Sequence, residues 1–291
     1  MNLSLLIYNL VPWHYEIIES VIVNFKKIIT DLDTIDDNKI IISLLCIPEE
    51  SFIKYISSKY PKLLILNPKQ NIEVKSFKYK INCTLYEKDL PNIELNSKTH
   101  YYISHEITNK VLEYDNIFYL SELSKKNIFH ATILPFSELK KENKKDTPIF
   151  VIQGSLNKNR RNYDLLLNIL NNVYWYDYKI KLLGKLENPP NFLSLFEDKL
   201  IFKCNLNFQN YHQELLDCHC ILPLISKDTH PQYYNSKLTS SINYAKGYNL
   251  KCLIDKNLQD IYQLNNVEVY VNDNDIIKAF NNILREYYTI N

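Results

Sequence analysis

Short, continuous apolar runs recur along the chain, separated by stretches in which apolar positions return every third or fourth residue. In the first half, Leu3–Tyr8, Ile40–Ile47, Lys62–Leu66, Tyr101–Ser104 and Ile117–Leu120 read as strands. Tyr15–Ile29, Glu50–Tyr60 and Ser121–Phe129 carry the spacing of helices. Strands that are apolar throughout, rather than alternating, are buried on both faces, which is the signature of a parallel sheet covered by helices. The alternation restarts at residue 148. Strands are predicted at Ile149, Lys179, Leu200, Cys220–Leu224 and Lys251–Ile254. Helices are predicted near Tyr163 and Phe192, over Tyr211–Cys218 and Lys237–Lys246, and over Asp275–Tyr288 at the end. Between the two series, Leu139–Thr147 is charged and poorly apolar and reads as a linker; the alternative is a solvated helix end inside one domain. The pattern predicts an α/β protein with two Rossmann-like domains, residues 1–138 and 148–291, and no internal repeat.

Composition narrows the function. The chain has 291 residues, long enough for two domains. Its 34 basic and 33 acidic side chains leave a net charge of +1, without the cationic footprint of a non-specific nucleic-acid binder. Asn, Ile, Lys and Tyr are abundant, and their AT-rich codons suggest a low-GC genome. The first apolar run is short and lacks a basic leader, so it reads as a buried strand rather than a signal peptide. No run approaches the roughly 20 apolar residues of a membrane span. The expected setting is therefore cytoplasmic. Most of the six cysteines sit in apolar runs and read as free thiols in a reducing compartment. Cys218-His219-Cys220 has ligand-like spacing, but no second pair completes a zinc site.

Glycine occurs only at 154, 184 and 247. Walker and GxGxxG loops need clustered glycines, so P-loop enzymes and ordinary dinucleotide dehydrogenases are excluded. Gly154 and Gly184 close predicted strands, where open α/β sheets bind ligands, and each is expected at a backbone position a side chain cannot occupy. Gly247 is expected at a helix C-cap.

Residues 148–265 resemble the donor domain of GT-B glycosyltransferases, most closely the broad family-4-like group. The resemblance rests on order and spacing: Phe150-Val151-Ile152-Gln153-Gly154 with Lys158 and Arg160-Arg161; Ile180–Gly184 with Lys185; Leu206–Tyr211 leading to Leu215–Pro223; and Tyr234 through Gly247 to Ile254. Ile117–Glu122 followed by Ile133–Phe136 is similar to the strand, helix and exit strand before that fold's linker. The resemblance implies two domains facing a cleft, with the last helix returning toward the first domain. It also implies a nucleotide-sugar donor and transfer of the sugar to a glycan, protein or small-molecule hydroxyl. Retaining members carry Glu-x7-Glu; aligned on Gly247, those positions hold Tyr234 and Ile242. The other readings are a nucleotide-sugar epimerase and a catalytically degenerate binding protein.

The residues themselves suggest a phosphate grip. Lys158, Arg160 and Arg161 follow Gly154, and arginine holds phosphate in bidentate fashion. Asn235, Ser236, Lys237, Leu238, Thr239 and Ser240 open a predicted helix whose free N–H groups favour an anion, unless they serve only as caps. Phe208, Asn210 and Tyr211 stand where the resemblance puts the base, and Gly154, Gly184, Lys185 and Tyr234 complete the expected donor set. His105 or Glu106 is the candidate base toward the acceptor, with Asp228 and His230 as groups facing the sugar. Asp31-Leu32-Asp33 and Asp273-Asn274-Asp275 fall outside the expected nucleotide segment, so donor binding without a metal or other cofactor is expected.

Overall fold

The computed structural model describes residues 3–12, 14–69, 76–110, 112–131 and 146–289. The expected linker up to Lys145, and the exit strand Ile133–Phe136, lie outside the described residues. The chain forms two compact units, Met1–Leu134 with Ser236–Leu238, and Pro135–Asn235 with Thr239–Asn291.

The first unit runs β1 (Leu3–Asn9), α1 (Tyr15–Asn24), β2 (Ile40–Cys46), α2 (Glu50–Lys59), β3 (Leu64–Leu66), β4 (Tyr79–Leu85), β5 (His100–Ser104) and β6 (Ile117–Tyr119). All neighbours are parallel, in the order β3-β2-β1-β4-β5-β6. Strand β4 is absent from the apolar pattern because Lys80, Asn82 and Thr84 alternate with its apolar residues. The expected helix over Ser121–Phe129 does not form. The Ser121 hydroxyl accepts from Leu123 N–H at 3.2 Å, and Ser124 Oγ donates to the Lys126 carbonyl at 2.7 Å. Asn127 then turns left-handed at φ 50°. Serine hydroxyls have outcompeted the helical ladder. Helix α1 also stops at Asn24, and the rest of the expected helix continues only as 3-10 turns.

The second unit runs β7 (Ile149–Ser155), α3 (Tyr163–Asn172), β8 (Lys179–Lys185), β9 (Leu200–Cys204), α4 (Phe208–Gln213), β10 (Cys220–Ile221), α5 (Gln232–Asn235), α6 (Ser240–Tyr248), β11 (Lys251–Asp255), α7 (Lys256–Tyr262), β12 (Val267–Tyr270) and α8 (Ile276–Thr289). The sheet order β12-β11-β10-β7-β8-β9 is again parallel. Counted within each unit, both sheets follow the 3-2-1-4-5-6 order of the doubly wound dinucleotide fold. In that order the winding reverses beside the unit's first strand. Here that places the switch points at β1/β4 and β7/β10.

Local chemistry explains the shifts from expectation. Asn207 starts α4 early by accepting from Asn210 N–H at 2.8 Å. The segment near Phe192 is a 3-10 turn over Asn191–Phe196. Helix α6 begins at Ser240 instead of Lys237, because Ser236–Leu238 leave the helix to pair in the first unit, where Ser236 O accepts from Ile107 N–H at 2.8 Å. Gly247 lies inside α6, and Asn249 takes the left-handed cap at φ 51°. Helix α8 buries Ile276, Ala279, Phe280, Ile283, Leu284 and Tyr287, one stripe at helical spacing. Phe280 stacks on Phe150 of β7 with centroids 4.1 Å apart, so α8 covers the sheet that carries the site.

Candidate functional site

The richest convergence of polar groups lies at the C-terminal end of β7, beside the second unit's switch point. The run Ile149–Ile152 is fully apolar and buried; Gln153 follows at 1 % exposure, then Gly154. Gly154 has φ 95° and Gly184, its partner on β8, has φ 144°. A side chain at 184 would place its Cβ 2.0 Å from the Gly154 carbonyl oxygen, so only glycine lets the two strand ends close up. This is the backbone constraint expected of both glycines. A Cβ built on Gly154 would stand 3.2 Å from Arg161 Nη2 and 3.7 Å from Ser240 Oγ. Those two groups therefore border the open face of this glycine.

Of the three expected basic residues, Arg161 is the one the fold buries. It is 3 % exposed, yet no carboxylate pairs with it among the described residues. Nη1 donates to the Arg160 carbonyl at 2.6 Å and Nη2 donates to the Gln153 carbonyl. Its buried Nε has no partner. Burial pulls its pKa below the ordinary arginine value, and the neighbouring tyrosines only partly oppose this. A guanidinium so placed has the charge and the N–H donors that an anion would need.

Helix α6 supplies the opposite wall. Thr239, its N-cap, is 2 % exposed and makes no side-chain cap bond, leaving the helix start with free N–H groups. Ser240 and Ser241 both accept from Gln153 Nε2, at 3.0 and 3.1 Å. Tyr211 of α4 donates to Gln153 Oε1 at 2.6 Å. Helix dipole, N–H groups and hydroxyls thus meet Arg161 across Gly154.

The other expected donor residues are arranged around this centre unequally. Arg160 is half-buried and donates to Tyr233 Oη at 3.1 Å. Lys158 is exposed, but its carbonyl lies 3.2 Å from His230 Nε2. His230 is buried, its Nδ1 2.7 Å from Thr229 Oγ1, and burial lowers its pKa. It is a neutral strut under the basic loop, while Asp228 is exposed. Lys185 is exposed and paired with Glu187 at 2.5 Å. Phe208 packs 4.3 Å from the His212 ring, and Asn210 is exposed in the first turn of α4. Tyr234 is buried and donates to the Ile225 carbonyl at 3.2 Å; Asn235 is exposed at the end of α5. Ser236, Lys237 and Leu238 are grouped with the first unit, where Lys237 Nζ lies 3.4 Å from Glu106 Oε1. Gln153 and Ser241 escaped sequence reasoning as site members. The available signal was a glutamine closing an otherwise apolar strand immediately before a glycine.

In the first unit, His105 Nε2 lies 3.2 Å from the Cys83 carbonyl, and its ring is 4.0 Å from that of His14. Burial, reinforced by His14, brings the His105 pKa down to about 3. It is a neutral imidazole that follows β5, its ring held against β4 near the β1/β4 switch point.

No protein-family model matches the chain, and no curated protein matches it in sequence. Solved structures match it in fold. AviGT4, a glycosyltransferase involved in avilamycin A biosynthesis, aligns over 99% of this chain and 92% of its own at 11% identity and a TM-score of 0.56. A glycosyltransferase from Rickettsia africae aligns over 98% and 88% at 10% identity and a TM-score of 0.57. HepE from Anabaena, solved with UDP and glucose, aligns over 98% and 92% at 8% identity and a TM-score of 0.53. Both six-stranded sheets are covered by these alignments, so the chain has the paired α/β architecture of GT-B glycosyltransferases. Among the described residues, no helix is long and apolar enough to cross a membrane.

Proposed function

We propose that this protein is a glycosyltransferase that moves a sugar from a nucleoside-diphosphate donor to an acceptor hydroxyl, with the diphosphate held by the second unit. The observation that carries this reading is Arg161: a buried cation without a carboxylate, facing Gly154 and Ser240 at the start of α6. The fold shared with glycosyltransferases supports it.

The chemistry follows from charge. As the glycosidic bond to the diphosphate breaks, negative charge grows on the leaving oxygens. Donors fixed before the reaction stabilise that charge more than they stabilise the ground state. Arg161 and the α6 N-terminus are such donors, and Arg160 reaches the rim. Lys237, Thr239, Phe208, Asn210 and Tyr211 remain candidates for lining the donor. His105 and Glu106 remain candidates on the acceptor side. A His105 pKa near 3 makes that imidazole a weak base, which favours Glu106 for accepting a proton. No metal is assigned a role in this scheme.

A second reading has one specific observation in its favour. Tyr234 and Ile242 stand where the resemblance expects glutamates, and both are buried. A protein that binds nucleotide sugars without transferring them fits those two positions. Calorimetry with UDP, GDP and ADP, followed by labelled-sugar turnover with the best base, separates the readings. Binding with turnover supports transfer; binding alone supports the second reading; absence of any nucleoside-diphosphate binding sinks both.

A further inference from the structure

Gln153 performs a task that the phosphate grip alone does not require. Its amide is buried at 1 % exposure and bonded at both ends: Tyr211 Oη donates to Oε1, and Nε2 donates to Ser240 Oγ and Ser241 Oγ. A hydroxyl that accepts a hydrogen bond keeps its own proton to give away. Among the described residues, neither serine proton has an acceptor. In this amide orientation the Tyr211 phenol donates to the carbonyl oxygen and the amide nitrogen is left to donate to both serines. Turned over, the amide would take both serine protons and leave the hydroxyls with nothing to offer an anion.

We propose that Gln153 is a positioning residue that polarises Ser240 and Ser241 as donors, making the space beside Gly154 a donor-only receptor for fully ionised diphosphate oxygens. The inference rests on the proposed reading of this site as a diphosphate cradle. Arg161, with its unpartnered Nε and its Nη2 facing the same glycine, is the independent sign that an anion belongs there. The two side-chain groups that border this point, Arg161 Nη2 and Ser240 Oγ, can then each offer it a proton or a positive charge. A neutral or protonated ligand would leave one of those donors unmatched.

The test is Gln153→Glu, which keeps the shape and still accepts from Tyr211 but takes the serine protons instead of supplying any. Titration with UDP, GDP, ADP and inorganic pyrophosphate at neutral pH should show affinity falling about tenfold to a hundredfold, the worth of one or two charge-assisted bonds. Burial raises the pKa of a carboxyl, so acidification should protonate Glu at 153 and restore a donor. The deficit relative to the unsubstituted protein should therefore shrink as pH falls. In a Ser240→Ala/Ser241→Ala background the same substitution should cost little further, because the groups it acts through are gone. Undiminished affinity in Gln153→Glu would overturn the inference. So would a deficit that ignores pH, or one that adds in full to the serine double variant. If the unsubstituted protein binds no nucleoside diphosphate, the cradle itself fails, whereas intact binding with an indifferent Gln153→Glu sinks only the role of Gln153.

Discussion

Two cations are buried in the second unit within one strand of each other, and they are treated in opposite ways. Lys181, on β8, is 1 % exposed and lies 2.6 Å from Asp217 and 2.8 Å from Glu214, with Glu214 also held by Lys203 at 2.8 Å. Burial works against its charge, but the surrounding groups, the two carboxylates among them, outweigh it and hold the pKa above the ordinary lysine value. Arg161, after β7, is nearly as buried but leans on two carbonyls, and its pKa moves down. A compensated buried charge is architecture, because removing it strands its partners. An uncompensated one is, in the proposed reading, available to a ligand, because an arriving anion would complete it. Both are basic residues near apolar strands, and nothing local in the sequence tells them apart.

The comparison breaks first at its extremes. Lys181→Met should cost about 3–5 kcal/mol and lower the unfolding midpoint sharply, since Asp217 and Glu214 would both lose their ion pair with this lysine. Arg161→Met should leave the midpoint nearly unchanged while weakening UDP or GDP binding by about a hundredfold or more. Thermal unfolding and calorimetry on the two proteins decide the matter. Equal loss of stability in both would erase the distinction.

The next effect belongs to the first unit. His100 lies between two phenols, with Tyr8 Oη at 2.7 Å and Tyr102 Oη at 2.9 Å, and burial brings its pKa down to about 4. A folded-state value below the unfolded value of 6.5 means stability is whole above pH 6.5. It is lost as pH falls toward 4, by about 3 kcal/mol for this residue. His105, at about 3, acts in the same direction. The unfolding midpoint measured against pH should therefore decline below pH 6.5, before most carboxylates protonate. The Lys181 network should survive that window, because Glu214 is held below its ordinary range: burial opposes this, but its lysine partners prevail.

Within the basic loop, the structure ranks three residues by burial. Arg160→Ala should weaken diphosphate binding about tenfold, and Lys158→Ala only about twofold to threefold, because an exposed charge is screened by solvent. A Lys158 effect equal to that of Arg161 would mean that the loop acts as a diffuse patch. The smallest expected effect is none: EDTA should leave donor affinity unchanged, since the proposed cradle is built of donors rather than of metal-binding carboxylates. Loss in EDTA with recovery in manganese would contradict this.

The sequence by itself determined the α/β class, the parallel sheets and the two key glycines. Continuous apolar runs can be satisfied only as strands buried on both faces, and Gly154 and Gly184 occupy conformations other residues avoid. It also pointed to the segments of the proposed cradle, since a basic loop after Gly154 and a Ser/Thr-rich helix start were both visible. The tertiary structure decided the rest. Strand β4 hid behind alternating polar residues, and the helix at Lys237 started three residues late because Ser236–Leu238 found backbone partners elsewhere. The choice among Lys158, Arg160 and Arg161 depended on which side chain the fold turned inward. The partnership of Gln153 with Tyr211, Ser240 and Ser241 spans 58 to 88 positions of chain. Hydrophobic periodicity reports whether a position is buried. It carries no record of which polar group will meet it there, because that is set by strand order and by the closure of loops far apart in sequence.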